Sequence, residues 1–516
     1  MAEIVRSTLL VGLEIHVELS TRSKMFSRAP NPAHPEFDEA EPNTLIDPVV
    51  LGLPGALPVI NKEAVELAAT VGLALGCSIA PSTKWDRKNY FYPDLPKAYQ
   101  ISQYDLPLCF DGSIDLPIGE PDGETGEPRV KRIGIIRAHL EEDAGKLLHE
   151  APGGRAIPFS IVDYNRAGAP LLEIVTQPDF RTADEVVRFA QALRRLCRWL
   201  GATEGVMQKG HMRFEPNINM HLELSDGRLI KTPVVEIKNL NSFKAVKGAI
   251  EFEMAEQPER WKRDGRVMGP GAKRTRGWDD VNMRTVEQRE KEDAHEYRYF
   301  PDPDLLPVSL DEGTRGRLAS SLPELPHVRE RRHRDAYGLG AKDAAALNDE
   351  RALSEFFEAC TDAIAERGML REIAAKKAAN VLLQSAAKRA NERGTRPDLL
   401  GASPGQIASI VMLREGNKVS SGAADELFGL LCDAPANADP EALASQHNLL
   451  QVSDASAMSA WVDEVLNDPA NAKSVEAYKG GKTTAIGALV GALMRRSKGQ
   501  ADPKGAKELL EERLSG

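Results

Sequence analysis

Residues 11–19 read VGLEIHVEL, in which apolar and polar residues alternate without a break. A period of two predicts a β-strand. With a rise of roughly 3.3 Å per residue, Glu14, His16 and Glu18 project from one face about 6.6 Å apart, while their apolar neighbours point into the core. Carboxylates and imidazole bind divalent cations, so this face can hold one. An amphipathic strand with a solvated polar face gives the same alternation, and this segment alone does not separate the two interpretations.

Two further segments of predicted strand carry carboxylates. Residues 133–140, IGIIRAHL, run directly into Glu141, Glu142 and Asp143, and Glu173 interrupts the apolar segment PLLEIV. Adjacent carboxylates repel one another, which is tolerable on an open loop or beside a metal ion or a cationic cluster. A lone carboxylate is seldom buried without a partner, because its desolvation costs several kcal/mol. One shared metal ion therefore explains three acid-bearing strands better than three separate coincidences.

Basic and aromatic residues mix in another segment. Residues 84–94, KWDRKNYFYPD, place three cations among four aromatic rings, which suits phosphate contacts and the stacking of a base. The alternative is a β-hairpin whose aromatic residues pack into its own hydrophobic core, which would have the same composition. Arg166 lies in a predicted turn before the strand of Glu173, and Lys238 and Arg298 stand beside amide or aromatic groups. Each of these single cations is also consistent with an ordinary surface salt bridge.

Six long motifs carry a family resemblance. They are VGLEIHVELSTRSKMFSRAP (11–30), DRKNYFYPDLPKAYQISQYDLPLC (86–109), RAHLEEDAGKLLHE (137–150), DYNRAGAPLLEIVTQPD (163–179), EIKNLNSFKAVKGAIEFE (236–253) and EDAHEYRYFPDPDLLPV (292–308). With these motifs in this order, the sequence resembles the GatB/GatE family of tRNA-dependent amidotransferase subunits. The resemblance runs from about residue 8 to the C-terminus and is strongest before residue 310.

The resemblance implies a reaction. A family member is expected to use ATP and Mg²⁺ to phosphorylate the side-chain carboxylate of a misacylated Glu-tRNA(Gln) or Asp-tRNA(Asn). Ammonia then displaces the phosphate and leaves Gln-tRNA(Gln) or Asn-tRNA(Asn), which makes the enzyme a carbon–nitrogen ligase with glutamine as nitrogen donor. Activation is needed because a free carboxylate does not react with ammonia at a useful rate. The sequence does not indicate whether Glu-tRNA, Asp-tRNA or both are substrates.

Phosphoryl transfer needs metal ions that bridge the phosphates and cations beside the transferred group. The resemblance, rather than any geometry, implies which residues supply them. The implied metal ligands are Glu14, His16, Glu141, Glu142 and Glu173. The implied ATP- or phosphate-binding residues are Arg87, Lys88, Tyr90 and Lys238, and the implied catalytic residues are Glu14, His16, Lys88 and Arg166.

Ammonia is expected to come from outside this chain. The sequence has no Gly/Ser-rich amidase signature and no Cys-His arrangement suited to glutamine hydrolysis. Gly481-Lys482-Thr483 ends like a P-loop, but Glu476 occupies the first glycine position and no predicted strand precedes it. The resemblance implies that ammonia arrives through an internal channel from the amidase subunit GatA, and that the small subunit GatC completes a heterotrimer.

Composition is consistent with a cytoplasmic enzyme. The 516 residues suffice for about two to four domains. Five cysteines are scattered without a CxxC pair, which favours reduced thiols over disulfides or a zinc site. No basic segment followed by an apolar one opens the chain, and the longest run of small and apolar residues near the end, 485–494, is half the length of a membrane span. We therefore expect no membrane association.

The net charge of −11 is unexpected for a tRNA-binding protein, since Lys and Arg drive phosphate contacts. The distribution of charge explains part of this, because eight basic residues stand against two acidic ones between residues 473 and 507. This basic patch lies near a Gly480-Gly481 pair, where backbone can approach a phosphate. A solvated helix face is the alternative. The candidate tRNA-binding residues are Lys479, Lys482, Arg495, Arg496 and Lys498.

The positions of turn residues and helix starts along the sequence predict an α+β fold. Short alternating runs between Gly, Pro and Asp turns continue to about residue 300, with a helix at 184–200. An Ala- and Leu-rich helical region follows, with Ser-Pro or Asp-Pro starts at Ser403, Asp439 and Asp502. In the family's terms, the predicted domains are a mixed α/β catalytic cradle at 1–308, an all-α helical domain at 309–438 and a small all-α YqeY-like tRNA-binding tail at 439–516.

Two segments depart from the family pattern. Many members have Arg-Cys-Asp followed by Ala or Val and Asn, whereas this chain reads RFEPN, with Phe214 and Glu215 at the cysteine and aspartate positions. Many members also carry Cys-Pro-x-Cys where this chain reads DPVV at 47–50, so no metal–thiolate role is expected there. Neither departure touches the implied Mg²⁺ ligands, and the effect of Phe214 and Glu215 on substrate contacts stays open.

Two other functions remain as alternatives. One is an ATP-dependent carboxylate–amine ligase that acts on a free small acid, against which the basic tail argues because a small substrate needs no remote contact. The other is a non-catalytic tRNA-binding scaffold whose acidic residues are structural. A scaffold is expected to show no metal-dependent binding of an ATP analogue.

Overall fold

The computed structural model of the protein describes residues 2–121, 128–151, 154–290, 297–435, 437–451, 455–497 and 500–515. The chain forms two compact units, Met1–Leu325 and Pro326–Gly516. All the described strands belong to the first unit, and the second unit is helical. The predicted α+β class, with a mixed N-terminal part and an all-α C-terminal part, is confirmed.

The strands of the first unit are numbered in chain order. They are β1 Ile4–Glu18, β2 Ser78–Ile79, β3 Ser82–Thr83, β4 Asp86–Asn89, β5 Tyr99–Ser102, β6 Cys109–Pro121, β7 Pro128–Glu142, β8 Lys146–Ala151, β9 Arg155–Asp163, β10 Pro170–Thr176, β11 Met212–Leu224, β12 Leu229–Lys231, β13 Val235–Lys238, β14 Arg274–Asp279, β15 Arg284–Glu290, β16 Phe300–Pro301 and β17 Val308–Ser309.

The helices are numbered in the same way. Those of the first unit are α1 Lys62–Ala74, α2 Ala183–Trp199, α3 Phe243–Asp264 and α4 Glu312–Ser320. Those of the second are α5 Pro326–Tyr337, α6 Ala341–Leu347, α7 Arg351–Ala365, α8 Arg371–Asn380, α9 Ala387–Arg393, α10 Pro404–Glu415, α11 Ser421–Asp433, α12 Pro440–Gln446, α13 Ala455–Asn467, α14 Ala472–Lys479, α15 Ile486–Arg496 and α16 Pro503–Ser515. A π-helical segment, Val381–Ala386, joins α8 to α9.

A large twisted sheet organises the first unit. Its strand order is β15-β14-β13-β11-β1-β10-β7-β6-β2, with β12 beside β11. The strand predicted from residues 11–19 is the C-terminal part of β1, which lies in the middle of this sheet. Strand β1 pairs antiparallel with both β10 and β11, so both of its edges are hydrogen bonded. A separate three-stranded sheet contains β16, β4 and β5.

The two faces of the central sheet differ as the alternation predicts. Val11, Leu13, Ile15 and Val17 are fully buried in the core on one face. Helices pack on the sheet from that side, with α1 against β6 and β7, α2 against β6 and α3 against β11. The predicted helix at 184–200 is α2, which Thr182 caps by accepting a hydrogen bond from the backbone N–H of Glu185.

The second unit contains two hydrophobic clusters. One joins α5 to α12 through residues such as Phe357, Leu382 and Phe428, and the other joins α13, α15 and α16 through Val462 and Leu489. The predicted helix starts at Ser403 and Asp439 are confirmed, since each side chain accepts a backbone N–H at a helix whose first residue is proline. Among the described helices, none combines the length and apolar composition that crossing a bilayer requires.

The structure divides the chain at other residues than those predicted. Leu310 and Leu318 belong to the core of the first unit, so the division follows Leu325 and not residue 308. Helix α12, which the predicted boundary at 438/439 assigns to the tail, contributes Ala444 to the core of the preceding helices. Pairing between Val419 and Leu450 extends that body further. A tail with its own core therefore begins beyond residue 451.

Candidate functional site

The strand register brings many polar side chains to the face of the central sheet opposite the helices. His16 of β1 lies beside Glu173 of β10 and Arg213 of β11, and Glu173 lies beside His139 of β7. Directly opposed residues of antiparallel strands point to the same side. By the same register the face includes Arg137, Glu141, Glu14, Glu18, Glu215, Asn217, Glu236 and Lys238.

The first cluster on this face consists of His16, Glu141 and Glu173. Each residue offers a donor atom within 4.8 Å of the others. His16 Nε2 lies 3.5 Å from Glu173 Oε2 and 3.8 Å from Glu141 Oε1. The carboxylate of Glu173 is also 3.8 Å from Nε2 of His139, a residue to which the sequence motifs gave no role. Two carboxylates and an imidazole converging in this way form a donor set suited to a divalent cation.

The second cluster consists of Glu14, Glu215 and Glu236, whose carboxylate oxygens also lie within 4.8 Å of one another. Lys238 Nζ partly compensates their charge, at 2.9 Å from Glu215 and 3.2 Å from Glu236. Asn217 Nδ2 donates a hydrogen bond of 3.1 Å to Glu14. His16 connects the two clusters, because its Nδ1 is 3.9 Å from Glu215 Oε1.

The electrostatics of the first cluster are those of a site that attracts cations. Burial acts to lower the pKa of His16, but the hydrogen bond to Glu173 and the charge of Glu215 outweigh it and raise the pKa to about 9. Burial, and then the neighbouring Glu173, raises the pKa of Glu141 to about 7. For His139, burial outweighs the charge of Glu173 and, with the nearby cations, lowers the pKa to about 4. A metal ion can take the place of the excess proton on His16.

Two buried nitrogen atoms add to this evidence. Nδ1 of His16 and Nδ1 of His139 have no hydrogen-bond partner among the residues that the structure describes. A buried polar atom without a partner costs roughly 1–3 kcal/mol, which a ligand can recover. The donor set and these atoms therefore fit a bound divalent cation.

Five of the six cluster residues, all but Glu141, line a cavity of about 780 Å³. Its walls carry Glu14, His16, Glu173, Glu215, Glu236 and Lys238 from the sheet, Lys88 to Tyr92 from β4 and the loop after it, and Tyr297 with Arg298. Lys88 Nζ is 5.0 Å from the ring centre of Tyr297 and 5.8 Å from that of Tyr90. Phe91 is 88% exposed, so its ring is available to a ligand. The cavity thus joins acids, cations and aromatic rings.

Arg87, an implied phosphate-binding residue, is not part of this wall. It precedes Lys88 in β4, and successive side chains of a strand point to opposite sides. Its Nε donates to Asp302 at 2.7 Å and its second nitrogen to Asp304 at 3.0 Å. Its guanidinium also stacks on Tyr99 at 4.2 Å. The structure therefore gives Arg87 a structural ion pair and leaves the cavity to Lys88.

Glu142, an implied metal ligand, is directed away from the clusters for the same reason. It follows Glu141 in β7, and its Oε1 accepts hydrogen bonds from Lys97 and from the backbone N–H of Ile101. Glu14 also differs from the implied arrangement. It lies with Glu215 and Glu236 in the second cluster and not with the other implied ligands, His16, Glu141 and Glu173, in the first.

Arg166, an implied catalytic residue, lies in a separate buried group. Its guanidinium donates to the backbone carbonyls of Ala144 and Gly145 at 3.0 and 2.8 Å. It is 3.5 Å from Asp143, which also binds Arg213 at 2.8 Å. Glu18, the third acid of the β1 alternation, is 3.8 Å from Arg213. Arg166 therefore does not line the cavity.

Sequence reasoning missed three members of the site. Glu215 stood only as a departure from the family pattern, and Glu236 and His139 lie in the family motifs without a role. The signal was present in the spacing: Glu236 precedes the selected Lys238 by two residues, and His139 precedes Glu141 by two. In a strand this spacing places both side chains on one face.

The candidate tRNA-binding residues lie at the ends of two tail helices. Lys479 ends α14, Lys482 follows it, and Arg495 and Arg496 end α15, and all four are exposed. Arg496 Nε donates to Glu464 at 2.6 Å, so part of its charge is compensated. The fifth candidate, Lys498, lies outside the described residues.

Comparison with known proteins relates this architecture to one family. Residues 9–315, which include every wall residue of the cavity, match the family model described as the GatB/GatE catalytic domain. The chain belongs to the GatB/GatE family. Residues 355–514 match a second model described as the GatB domain, which spans parts of both predicted all-α domains. The resemblance read from the six motifs is thereby confirmed.

The similarity to individual members of the GatB/GatE family extends over nearly the full length. Two relatives, from Thermomicrobium roseum and from a Synechococcus species, are named as the B subunit of aspartyl/glutamyl-tRNA(Asn/Gln) amidotransferase and are 43% and 42% identical to this chain. A protein of the same name from Nitratidesulfovibrio vulgaris is 40% identical. Each alignment covers 98% of this chain and 97–98% of the relative.

Proposed function

We propose that this chain is the catalytic GatB-type component of a tRNA-dependent amidotransferase. In this proposal it uses ATP and Mg²⁺ to phosphorylate the side-chain carboxylate of Glu-tRNA(Gln), Asp-tRNA(Asn) or both, and ammonia then converts the acyl phosphate to the amide. The observation that carries the proposal is the pair of carboxylate clusters that meet at one cavity. The names of its relatives supply the substrate class.

The chemistry has two steps. An oxygen of the substrate carboxylate attacks the γ-phosphorus of ATP, the bond from that phosphorus to the ADP oxygen breaks, and an acyl phosphate forms. The nitrogen of ammonia then attacks the carbonyl carbon, the bond to the phosphate oxygen breaks, and the nitrogen loses a proton as the amide forms. Phosphoryl transfer depends mainly on positioning and charge neutralisation, so the residues needed are cations and metal ligands.

His16, Glu141 and Glu173 would hold one Mg²⁺, and Glu14, Glu215 and Glu236 a second. When bound, such ions would supply positive charge that offsets the charge of the phosphate groups and would so lower the barrier to transfer. The chain adds cations of its own: Lys88 lines the cavity, where it would contact a phosphate from the aromatic side, and Lys238 lies beside the second cluster. Tyr90 and the exposed Phe91 offer rings for a nucleobase.

Ammonia is proposed to come from a partner glutaminase of the GatA type, with a small GatC-type protein completing the heterotrimer in the cytoplasm. All five cysteines are buried, and burial raises the pKa of Cys77 to about 11 and of Cys197 to about 12. A thiol in that state is a poor nucleophile, because the thiolate is the reactive form. The cysteines therefore offer no route to glutamine hydrolysis within this chain.

The purified chain alone is expected to release no ammonia from glutamine, while the complex with its partners releases it readily. A coupled glutamate dehydrogenase assay on both preparations measures this directly. Ammonia release by the isolated chain above that of a heat-denatured sample would reveal a glutaminase site that neither the sequence nor the buried cysteines indicate.

The decisive experiment for the proposed function uses the complex co-purified with untagged partners. Both misacylated tRNAs are assayed with glutamine and with ammonium, each with and without Mg²⁺. We expect amide formation from at least one tRNA, dependent on ATP and Mg²⁺ with either nitrogen source. Product from free glutamate or aspartate without tRNA would favour the small-acid ligase instead. Calorimetric titration with Mg²⁺ and a non-hydrolysable ATP analogue tests the scaffold alternative, which predicts no metal-dependent binding.

A further inference from the structure

A second cavity of about 140 Å³ lies at the end of the central sheet that β13, β14 and β15 form. It is separate from the candidate site, because Val235 and Ile237 of β13 face the helices whereas Glu236 and Lys238 face the site. Its walls come from the C-terminal half of α3, the residues before β13, and strands β14 and β15. Four arginines line it: Arg260, Arg266, Arg274 and Arg276.

Two of these arginines are on the face of the sheet that is otherwise apolar. The parallel pairing of β13 with β14 places Arg274 beside Val235 and Arg276 beside Ile237. Val235 and Ile237 are fully buried in the core of the first unit. Burying a charged group on such a face costs desolvation free energy unless the group has partners. Ion pairs, and not apolar packing alone, must therefore stabilise this end of the sheet.

One buried carboxylate, Glu253 of α3, holds two of the guanidinium groups. Arg260 approaches it at 3.2 and 3.3 Å, and Arg276 Nε is 3.4 Å away. Thr285 Oγ1 and Gln257 Nε2 donate to the same carboxylate at 2.6 and 3.2 Å. The two guanidinium groups are thereby fixed in position before any ligand arrives.

Positive charge is only partly compensated in this cavity. Burial, and then the charge of Arg260, lowers the pKa of Arg276, which means that the guanidinium groups repel one another across Glu253. The side chain of Arg266 makes no hydrogen bond or ion pair within the described part of the chain, where only its backbone N–H is bonded, to Asp264. Asp264 and Glu287, the acids of the wall, are exposed at the rim. An anion in the cavity would relieve the repulsion.

We propose that this cavity is a binding site for a phosphate group. Guanidinium groups present paired N–H donors that match two oxygens of a phosphate, and they are weakly hydrated enough to work when half buried. The volume equals that of roughly four to five water molecules, which is sufficient for an anion with four oxygens. The proposal is independent of the amidotransferase function. The phosphate can come from free inorganic phosphate or from the backbone of an RNA.

The test is isothermal titration of the full-length chain with inorganic phosphate, compared with sodium chloride at equal ionic strength. Arg266→Ala and Arg274→Gln each remove one guanidinium group from the cavity wall and leave Glu253 and its two arginine partners in place. Arg263→Ala is the matched control, because Arg263 lies in the last turn of α3, between the wall residues Arg260 and Asp264, but pairs with Glu256 and does not line the cavity. Circular dichroism melts establish that each variant is folded.

We expect phosphate to bind the wild type and the control equally, and each of the two cavity variants about tenfold more weakly or worse, as loss of one charge-assisted hydrogen bond implies. Equal phosphate binding by all four proteins, or no binding beyond that of chloride, would overturn the proposal. Competition with tRNA separates the two sources. If RNA occupies the cavity, tRNA displaces phosphate and Arg266→Ala raises the Kd for tRNA, and if free phosphate occupies it, neither change occurs.

Discussion

Replacing Glu14 or His16 with alanine is expected to lower amide formation by the complex about 10³-fold, with glutamine and with ammonium alike. This is the upper end of what one preorganised electrostatic group contributes. His16 belongs to the first cluster and Glu14 to the second, so both variants disturb the binding of a metal ion. The loss is expected in kcat, because activation of the carboxylate precedes the use of either nitrogen source.

The fold should tolerate these changes, since the residues that build the core of β1 are Leu13 and Ile15 on the opposite face. Co-purification of the partner proteins measures assembly. Glu14→Gln keeps the hydrogen bond from Asn217 but not the charge, and is expected to be nearly as inactive as Glu14→Ala. Glu223→Gln is the matched control, because Glu223 lies further along β11, pairs with Arg6 and is half exposed. Full ammonium-dependent activity in both alanine variants would refute the metal-site interpretation.

Removing the tail is expected to raise the KM for aminoacyl-tRNA roughly tenfold or more while kcat changes little. Lys479, Lys482 and Arg495 are exposed at the ends of tail helices, where they can contact a tRNA backbone away from the reaction. Loss of uniform binding has this kinetic signature. The deletion must begin at residue 452, since α12 and Leu449 belong to the core of the preceding helices. A cut at 441, the boundary region that the sequence predicts, would damage that core.

Salt dependence provides the second measurement on the tail. Each lost phosphate contact is expected to reduce the slope of log affinity against log salt by roughly 0.7–0.9. A triple variant, Lys479→Ala, Lys482→Ala and Arg495→Ala, tests charge without deleting the fold. Arg496→Ala is a weaker test, because Glu464 already binds that side chain. If deletion and triple variant leave both the affinity and its slope unchanged, the patch is a solvated helix face.

The alternation at residues 11–19 was sufficient to predict the central strand and its two faces. It was not sufficient to predict which acids meet, because that depends on the pairing of β1 with β10 and β11, which are distant in sequence. Period two would have separated Glu142 from Glu141 and Arg87 from Lys88, since in a strand neighbours face opposite ways. The prediction treated the acids at 141–142 and the cations at 87–88 each as one group, and so did not separate the side chain that faces the site from the one that faces away.

The role of Arg166 and the domain boundary also depend on contacts that a short stretch of sequence does not show. Arg166 was assigned a catalytic role from its family motif, and nothing in a short predicted turn indicates that the backbone carbonyls of Ala144 and Gly145 will bind its guanidinium. The predicted boundary at residue 308 follows a segment with three prolines, PDPDLLP at 301–307, whereas the fold keeps Leu310 and Leu318 in the first core. Proline marks the end of an element, but burial of the next apolar residues decides where a domain ends.

The position of β1 has a consequence for biosynthesis. It is the central strand of the sheet, yet β10 follows it by roughly 150 residues and β11 by more. At 5–20 residues per second, a ribosome needs on the order of ten to thirty seconds to produce the first partner. During that interval a strand with one apolar face and two unpaired edges is free to associate with other nascent chains. Production of this protein is therefore expected to depend on chaperones that hold the N-terminal segment until its neighbours have been translated.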